Sequence, residues 1–238
     1  GKAISAMLAE KGSIKDYLEG VGKKKPSGIK APFVAVPTTS GTGSEATKNA
    51  VISMVGPEGF KKSLRHDNYL PDAAIVDPEL TVPCPPSITA ACGMDAFSQL
   101  MESYLSTKAN PFTDALALSG IKMWKDGFIR SFRDGADVEA RGLMCYASFI
   151  SGVTLAHAGL GTVHGMAGVI GGFYPAPHGA VCGTLLGEVM RETCASLKRE
   201  SSPCLKKIAA VGRLFDESGS AADEYACEKL LAAIDDYI

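Results

Sequence analysis

The chain has no unbroken apolar run approaching the ~18 residues of a membrane span, and no charged-then-apolar leader at its start. No membrane partner is therefore expected. A concentrated positive face is missing too. Lys and Arg number 24 against 26 Asp and Glu, a net charge of −2, and the basic runs are confined to Lys23-Lys24-Lys25 and Lys61-Lys62. Nucleic-acid binding needs such a face, so nucleic acid is not an expected partner. The seven cysteines (Cys84, Cys92, Cys145, Cys182, Cys194, Cys204, Cys227) are odd in number, lack CxxC spacing and mostly sit in apolar, helix-patterned runs. They read as reduced thiols of a cytoplasmic protein. There is no internal repeat or low-complexity tract, and no initiating methionine: Gly1-Lys2-Ala3-Ile4-Ser5 already reads as helix, and Tyr237-Ile238 closes inside another amphipathic pattern. The expectation is a piece of a longer protein.

What is present is enough for one large domain or two modest ones, since 238 residues can bury a core either way. Helical spacing runs over 2–11, and Lys23–Lys30, with Pro26 and Gly28, reads as a loop. Pro32–Pro37 is a short apolar run bounded by prolines, the pattern of a buried parallel strand, and Val51–Val55 and Ala73–Asp77 are also strand-like. After the prolines at 83, 85 and 86 the strands stop. Helical patterns follow over 87–106, 111–132, 137–157, 178–198, 203–216 and 220–238. The predicted plan is an α/β part over 1–82 followed by an all-helical part over 83–238.

His164 and His178 lie fourteen residues apart in HGMAGVIGGFYPAPHG, a stretch with five glycines and two prolines, far downstream of Asp95 in GMDAFSQLMES. Glycine lets backbone approach closely and proline restricts it, so the stretch reads as a shaped site. One Asp oxygen and two His nitrogens are a common ligand set for zinc or ferrous iron. Spacing alone leaves open that both histidines cap helices or sit satisfied in a core. Gln99 follows Asp95 by four residues and so shares its helix face. The turn Thr38-Thr39-Ser40-Gly41-Thr42-Gly43-Ser44-Glu45 follows a strand, where hydroxyls and bare amides can converge on an anion or a cofactor's ribose and phosphate. His157 precedes His164 by two helical turns but with Gly159 and Gly161 between them, and His66 in Arg65-His66-Asp67 reads as a surface residue.

In order along the chain, PTTSGTGSEAT, AAIVDPEL, PPSITAACGMDAFSQLMESYLS, NPFTDALAL, AGLGTVHGMAG and APHGAVC resemble the landmarks of the iron-containing (group III) alcohol dehydrogenase family. That resemblance implies a dehydroquinate synthase-like architecture, with a nucleotide-binding α/β domain (here partial, 1–82), a helical metal and substrate domain (83–238) and an active site in the cleft between them. It also implies an NAD(P)-dependent oxidoreductase of a small alcohol and its aldehyde or ketone, assisted by iron or zinc and assembled as a homodimer or larger homo-oligomer. Carried over by position, Asp95, His164 and His178 match metal ligands and the catalytic centre. Thr38, Thr39, Thr42 and Ser44 match the cofactor loop, and Lys61 is placed similarly to a lysine that reaches the cofactor.

Three positions depart from the pattern. Gln99 stands where a third histidine ligand belongs, and its amide oxygen is a weaker donor. Gly168 stands where a histidine near the reacting carbon belongs. The glycine-rich pyrophosphate turn is expected just ahead of Gly1, which predicts weak cofactor binding by this chain and leaves NAD against NADP unread. Two alternatives therefore accompany the expectation: a metal-independent reductase of the same superfamily, and a truncated, inactive fragment.

Overall fold

The computed structural model describes residues 1–216, 218 and 222–238, so positions 220 and 221 of the expected last helix lie outside the described residues. Helix α1 (Lys2–Met7) opens the chain. Four short strands follow in two pairs. β1 (Val34–Ala35) runs parallel to β4 (Ala73–Ala74), and β2 (Asn49–Met54) pairs antiparallel with β3 (Phe60–Arg65), in register from Asn49 opposite Arg65 to Met54 opposite Phe60. Seven helices complete the fold: α2 (Pro86–Leu105), α3 (Pro111–Arg133), α4 (Val138–Ala158), α5 (Thr162–Phe173), α6 (His178–Arg199), α7 (Leu205–Gly212) and α8 (Asp223–Tyr237).

The expected α/β part followed by a large helical part is what the chain folds into, with four differences in detail. The buried strand over Pro32–Pro37 is a two-residue strand with Val34 51% and Val36 46% exposed. Its one partner, β4, is equally short, so no wider sheet covers its faces among the described residues. The first helix ends at Met7 and not at residue 11. Strand β3 was not foreseen, because FKKSLR carries three charges and only two apolar residues. The β2–β3 hairpin explains it by period-two alternation. Ile52, Phe60 and Leu64 turn to a small core with Ala6, Tyr17, Leu18 and Tyr69, while Asn49, Val51, Ser53, Lys61, Ser63 and Arg65 turn to a cleft.

The fourth difference is α5, whose four glycines at 165, 168, 171 and 172 are poor helix formers. Packing overrides propensity there. α5 lies against α6 and β3, and at Gly172 a Cβ would stand 3.0 Å from the Phe60 Cα, so glycine lets the hairpin close onto the helix. α4 and α5 meet at a 101° bend across residues 159–161, where Gly159 has φ 75°.

α2 sits at the centre, packed against α3, α4, α5, α6 and α7. Every residue from Gly93 to Tyr104 is buried, so this helix has no solvent face along that stretch. Trp124 of α3 stacks between Phe97 of α2 (centroids 4.2 Å) and Phe128 (4.5 Å), and its indole N–H donates to the Gly93 carbonyl at 2.7 Å. α3 itself begins with Asn110 and Thr113 in a reciprocal cap and Pro111 at its first position. All seven cysteines are free thiols. Among the described residues, no single helix is long and apolar enough to cross a membrane.

Candidate active site

Buried polar groups carry the information in a helix that should be apolar all round. On α2 these include Asp95, Gln99 and Glu102, which share one face by their spacing of four and then three. Glu102 explains how that face holds α5. The N-cap of α5 is Gly161, which has no side chain to satisfy the helix's first amides. The Glu102 carboxylate does so from outside, accepting from the Val163 amide at 2.7 Å and the His164 amide at 3.2 Å. The negative charge also suits a helix N-terminus.

The same carboxylate accepts from His164 Nδ1 at 2.6 Å. A carboxylate has nothing to donate in return, so Nδ1 carries the proton and Nε2 is turned toward Asp95 Oδ1, 3.1 Å away. Something positive has to lie between that nitrogen and that oxygen: a proton or a metal ion. Burial disfavours the imidazolium, but the hydrogen bonds with Asp95, Cys182 and Glu102 outweigh it and push the His164 pKa up to about 11.

His178 is the first residue of α6, held at the helix entry by Pro177. A Cβ at Gly179 would fall 1.8 Å from the Ala91 carbonyl oxygen and 3.2 Å from the Asp95 Cβ. Only glycine lets α6 start flush against α2, and that contact delivers His178 to the site. Its Nε2 lies 3.8 Å from Asp95 Oδ1, and its ring meets that of His164 edge-on at 5.4 Å. Burial, chiefly, holds its pKa below the ordinary histidine value. His178 Nδ1 is buried with no hydrogen-bond partner among the described residues. One helical turn further on, the fully buried Cys182 places Sγ 3.7 Å from His164 Nε2 and 3.8 Å from His178 Nε2. Burial pushes this thiol's pKa up, while His164 pulls it down. One donor atom from each of Asp95, His164, His178 and Cys182 fits within 4.8 Å of all the others.

Gln99 supports this group from the side. Its amide N–H donates to Asp95 Oδ1 at 3.4 Å, and its carbonyl oxygen accepts from the Ser151 hydroxyl at 2.8 Å.

Asp95, Gln99, His164 and His178 form the floor of a cleft of about 640 Å³, bordered on the other side by the β2–β3 hairpin and the threonine-rich turn. Thr42, Ser44 and Lys61 line it, whereas Thr38 and Thr39 are exposed upstream and do not. The turn is seated by Gly43, left-handed at φ 56°, where a Cβ would strike the Ser148 carbonyl oxygen at 2.4 Å. It is tied to β2 by Lys2, whose ammonium donates to the carbonyls of Ser44 (2.7 Å), Thr47 (2.6 Å) and Asn49 (3.0 Å). Burial lowers the pKa of Lys61, while the charges of Asp95 and Cys182 raise it, so its ammonium is within electrostatic reach of the cluster. Gly168 also faces the cleft, and a Cβ there would meet nothing within 4 Å.

The remaining histidines stand apart. His157 is exposed near the end of α4 with Nδ1 on the Val153 carbonyl at 2.8 Å, and the bend after it breaks the face it would have shared with His164. His66 accepts from the Asn68 amide at 3.1 Å and caps a turn. Sequence reasoning thus reached Asp95, Gln99, His164 and His178 but missed Glu102, Cys182 and Lys2. Two of these had a signal: Glu102 follows Asp95 by two turns, and Cys182 follows His178 by one.

Residues 1–78 match the family described as iron-containing alcohol dehydrogenase, and residues 89–237 match the Fe-containing alcohol dehydrogenase family, C-terminal. The chain is 40% identical over 185 residues to alcohol dehydrogenase 4 of Saccharomyces cerevisiae, covering 78% of this chain and 47% of that protein. It is 36% identical over 238 residues to the NAD-dependent methanol dehydrogenase of Bacillus methanolicus, covering 99% of this chain and 59% of that one. A solved structure of 1,3-propanediol oxidoreductase superposes with a TM-score of 0.84 at 33% identity, over 99% of this chain and 59% of the other. The chain spans 47–59% of the length of these curated relatives.

Proposed function

The chain belongs to the Fe-containing alcohol dehydrogenase family, and from that premise we propose that it supplies the metal and substrate side of an NAD(P)-dependent alcohol dehydrogenase. In this reading an alcohol and its aldehyde or ketone are interconverted by hydride transfer in the cleft. One observation carries it: donor atoms of Asp95, His164 and His178 converge, with that of Cys182, within 4.8 Å at the floor of a cleft that Thr42, Ser44 and Lys61 also line.

The residues fit a divalent ion. Asp95 Oδ1 lies 3.1 Å from His164 Nε2 and 3.8 Å from His178 Nε2, so one positive centre, a proton or a divalent ion, can serve all three donors together. Such an ion would be held by Asp95, His164 and His178 and, when bound, would polarise an alcohol oxygen and lower its pKa. Glu102 fixes the His164 tautomer so that Nε2 faces the site, the arrangement of a carboxylate behind a metal-binding imidazole. Gln99 holds the Asp95 carboxylate in place through its amide N–H.

Thr42 and Ser44 present hydroxyls at the opposite wall, where they can take the ribose and amide groups of a nicotinamide held against the substrate. Lys61, on β3 of the same wall, supplies positive charge toward cofactor phosphate or a developing alkoxide. The cleft's part is to bring carbinol carbon and nicotinamide into contact with limited water. Reduction of NAD and NADP by short primary alcohols, with and without added zinc or ferrous iron, tests the reading. Activity that requires metal and is lost in Asp95→Asn supports it, and metal-independent turnover contradicts it.

A metal-independent reductase is favoured by one observation, the His164–Asp95 hydrogen bond, which satisfies the cluster with a proton alone. Elemental analysis of the isolated protein separates the two readings.

A further inference from the structure

We propose that Cys182 is a metal donor of this site, as a thiolate, and that the fourth position is its own and not that of Gln99. The inference rests on the metal reading above and concerns which ion the site selects.

Geometry is the first argument. In a tetrahedral zinc site with Zn–N and Zn–O of ~2.0–2.2 Å and Zn–S of ~2.3 Å, the donor atoms stand roughly 3.3–3.6 Å apart. Asp95 Oδ1 lies 3.1 Å from His164 Nε2 and 3.8 Å from His178 Nε2, and Cys182 Sγ lies 3.7 Å and 3.8 Å from the same two nitrogens. Four of the six edges of that tetrahedron are thus already within a few tenths of an ångström, before any ion draws the donors in. Rigid parts hold them: Asp95 in the middle of the most buried helix, His164 on the Glu102 carboxylate, and His178 and Cys182 one turn apart where α6 abuts α2.

Gln99 is placed differently. Its oxygen takes the Ser151 hydroxyl and its N–H serves Asp95, so its donor oxygen is spent on α4. To ligate, the amide would have to turn over and give up its bond to the carboxylate. A neutral amide oxygen is also the weaker donor.

Charge is the second argument. Asp95 and a Cys182 thiolate together cancel a divalent ion, and the Lys61 ammonium, whose electrostatic reach takes in both Asp95 and Cys182, favours the thiolate. With the thiol left protonated, Asp95 and Glu102 already balance the ion, and the Lys61 ammonium beside them has no counter-charge in the cluster. On binding, the metal–sulfur bond replaces the S–H bond and the thiol proton leaves to water. The proton on His164 Nε2 leaves likewise, and nothing is oxidised. A mixed sulfur, nitrogen and oxygen tetrahedron favours zinc and its analogue cobalt, whereas an all-nitrogen and oxygen set also suits iron and manganese.

Cobalt(II) titration of the full chain tests this, because a thiolate on cobalt gives a near-ultraviolet charge-transfer band that nitrogen and oxygen donors do not. The wild type is expected to show the band, saturating with one ion. Cys182→Ser should lose the band and bind zinc more weakly by more than the roughly 10–100-fold that an outer-shell partner is worth. Gln99→Ala should keep the band. X-ray absorption of the zinc-loaded wild type needs no variant and should show a sulfur neighbour at about 2.3 Å. Metal bound with only nitrogen and oxygen neighbours, or a band that survives in Cys182→Ser, overturns the inference and leaves the metal reading standing. A wild type that binds neither cobalt nor zinc overturns both.

Discussion

Glu102→Gln is the substitution whose cost the structure defines best. The buried carboxylate accepts three hydrogen bonds, from the Val163 amide (2.7 Å), the His164 amide (3.2 Å) and His164 Nδ1 (2.6 Å), and it donates none. Glutamine has the same shape, but one of its two terminal atoms is an NH2 group. If that group faces His164, two N–H donors lose their acceptor. If it faces Val163, the first turn of α5 loses one. Bonds to a charged acceptor are each worth about 1.5–3 kcal/mol net, and removing one partner of a buried pair costs about 3–5 kcal/mol. A loss of about 3 kcal/mol in unfolding free energy is expected from urea denaturation of the metal-free chain. Because the carboxylate also fixes the tautomer that aims Nε2 at the site, zinc affinity should fall by roughly 10–100-fold in a competition titration. A variant within about 0.5 kcal/mol of wild type, the scatter of ordinary surface changes, and with unchanged zinc affinity, would refute the role assigned to Glu102.

Gly179→Ala should disrupt the junction of α6 with α2, where a Cβ would fall 1.8 Å from the Ala91 oxygen, and so lose both stability and metal binding. Its control is Gly165→Ala in α5, where a Cβ meets nothing within 4 Å, and there denaturation should show a gain of up to about 1 kcal/mol. Lys2 gives a pH signature. Burial lowers its pKa from 10.5 to about 8, so between those values the unfolded chain binds more protons than the folded one, and stability should rise with pH across that window. The full shift corresponds to about 3 kcal/mol, and Lys2→Met should abolish this part of the profile in parallel urea titrations. Identical profiles for the two proteins would mean that the carbonyls of Ser44, Thr47 and Asn49 hold the ammonium charged throughout.

The helices from α2 onward were legible because their apolar spacing is long and their starts are marked by prolines and by Asn110. α5 was not, since four glycines hide a helix that exists only through its packing and the Glu102 cap. β3 was hidden because Lys61, Ser63 and Arg65 face a cleft and only Phe60 and Leu64 are apolar. At the site, Asp95, His164 and His178 stood out by residue type. Glu102 did not, because a glutamate in a helix ordinarily means a solvated face, and only the fold buries all sides of α2. Cys182 was lost among seven cysteines, most of them in runs that read as core, although it follows His178 by one helical turn.

The proposed function stands on Asp95, His164 and His178 holding a divalent ion at the floor of the cleft. Elemental analysis of the chain purified without chelator and then dialysed against zinc or ferrous iron tests it most directly, with Asp95→Ala beside it. Close to one ion per wild-type chain and almost none in the variant is expected. Equal metal content in the two proteins, or none in the wild type, would contradict it.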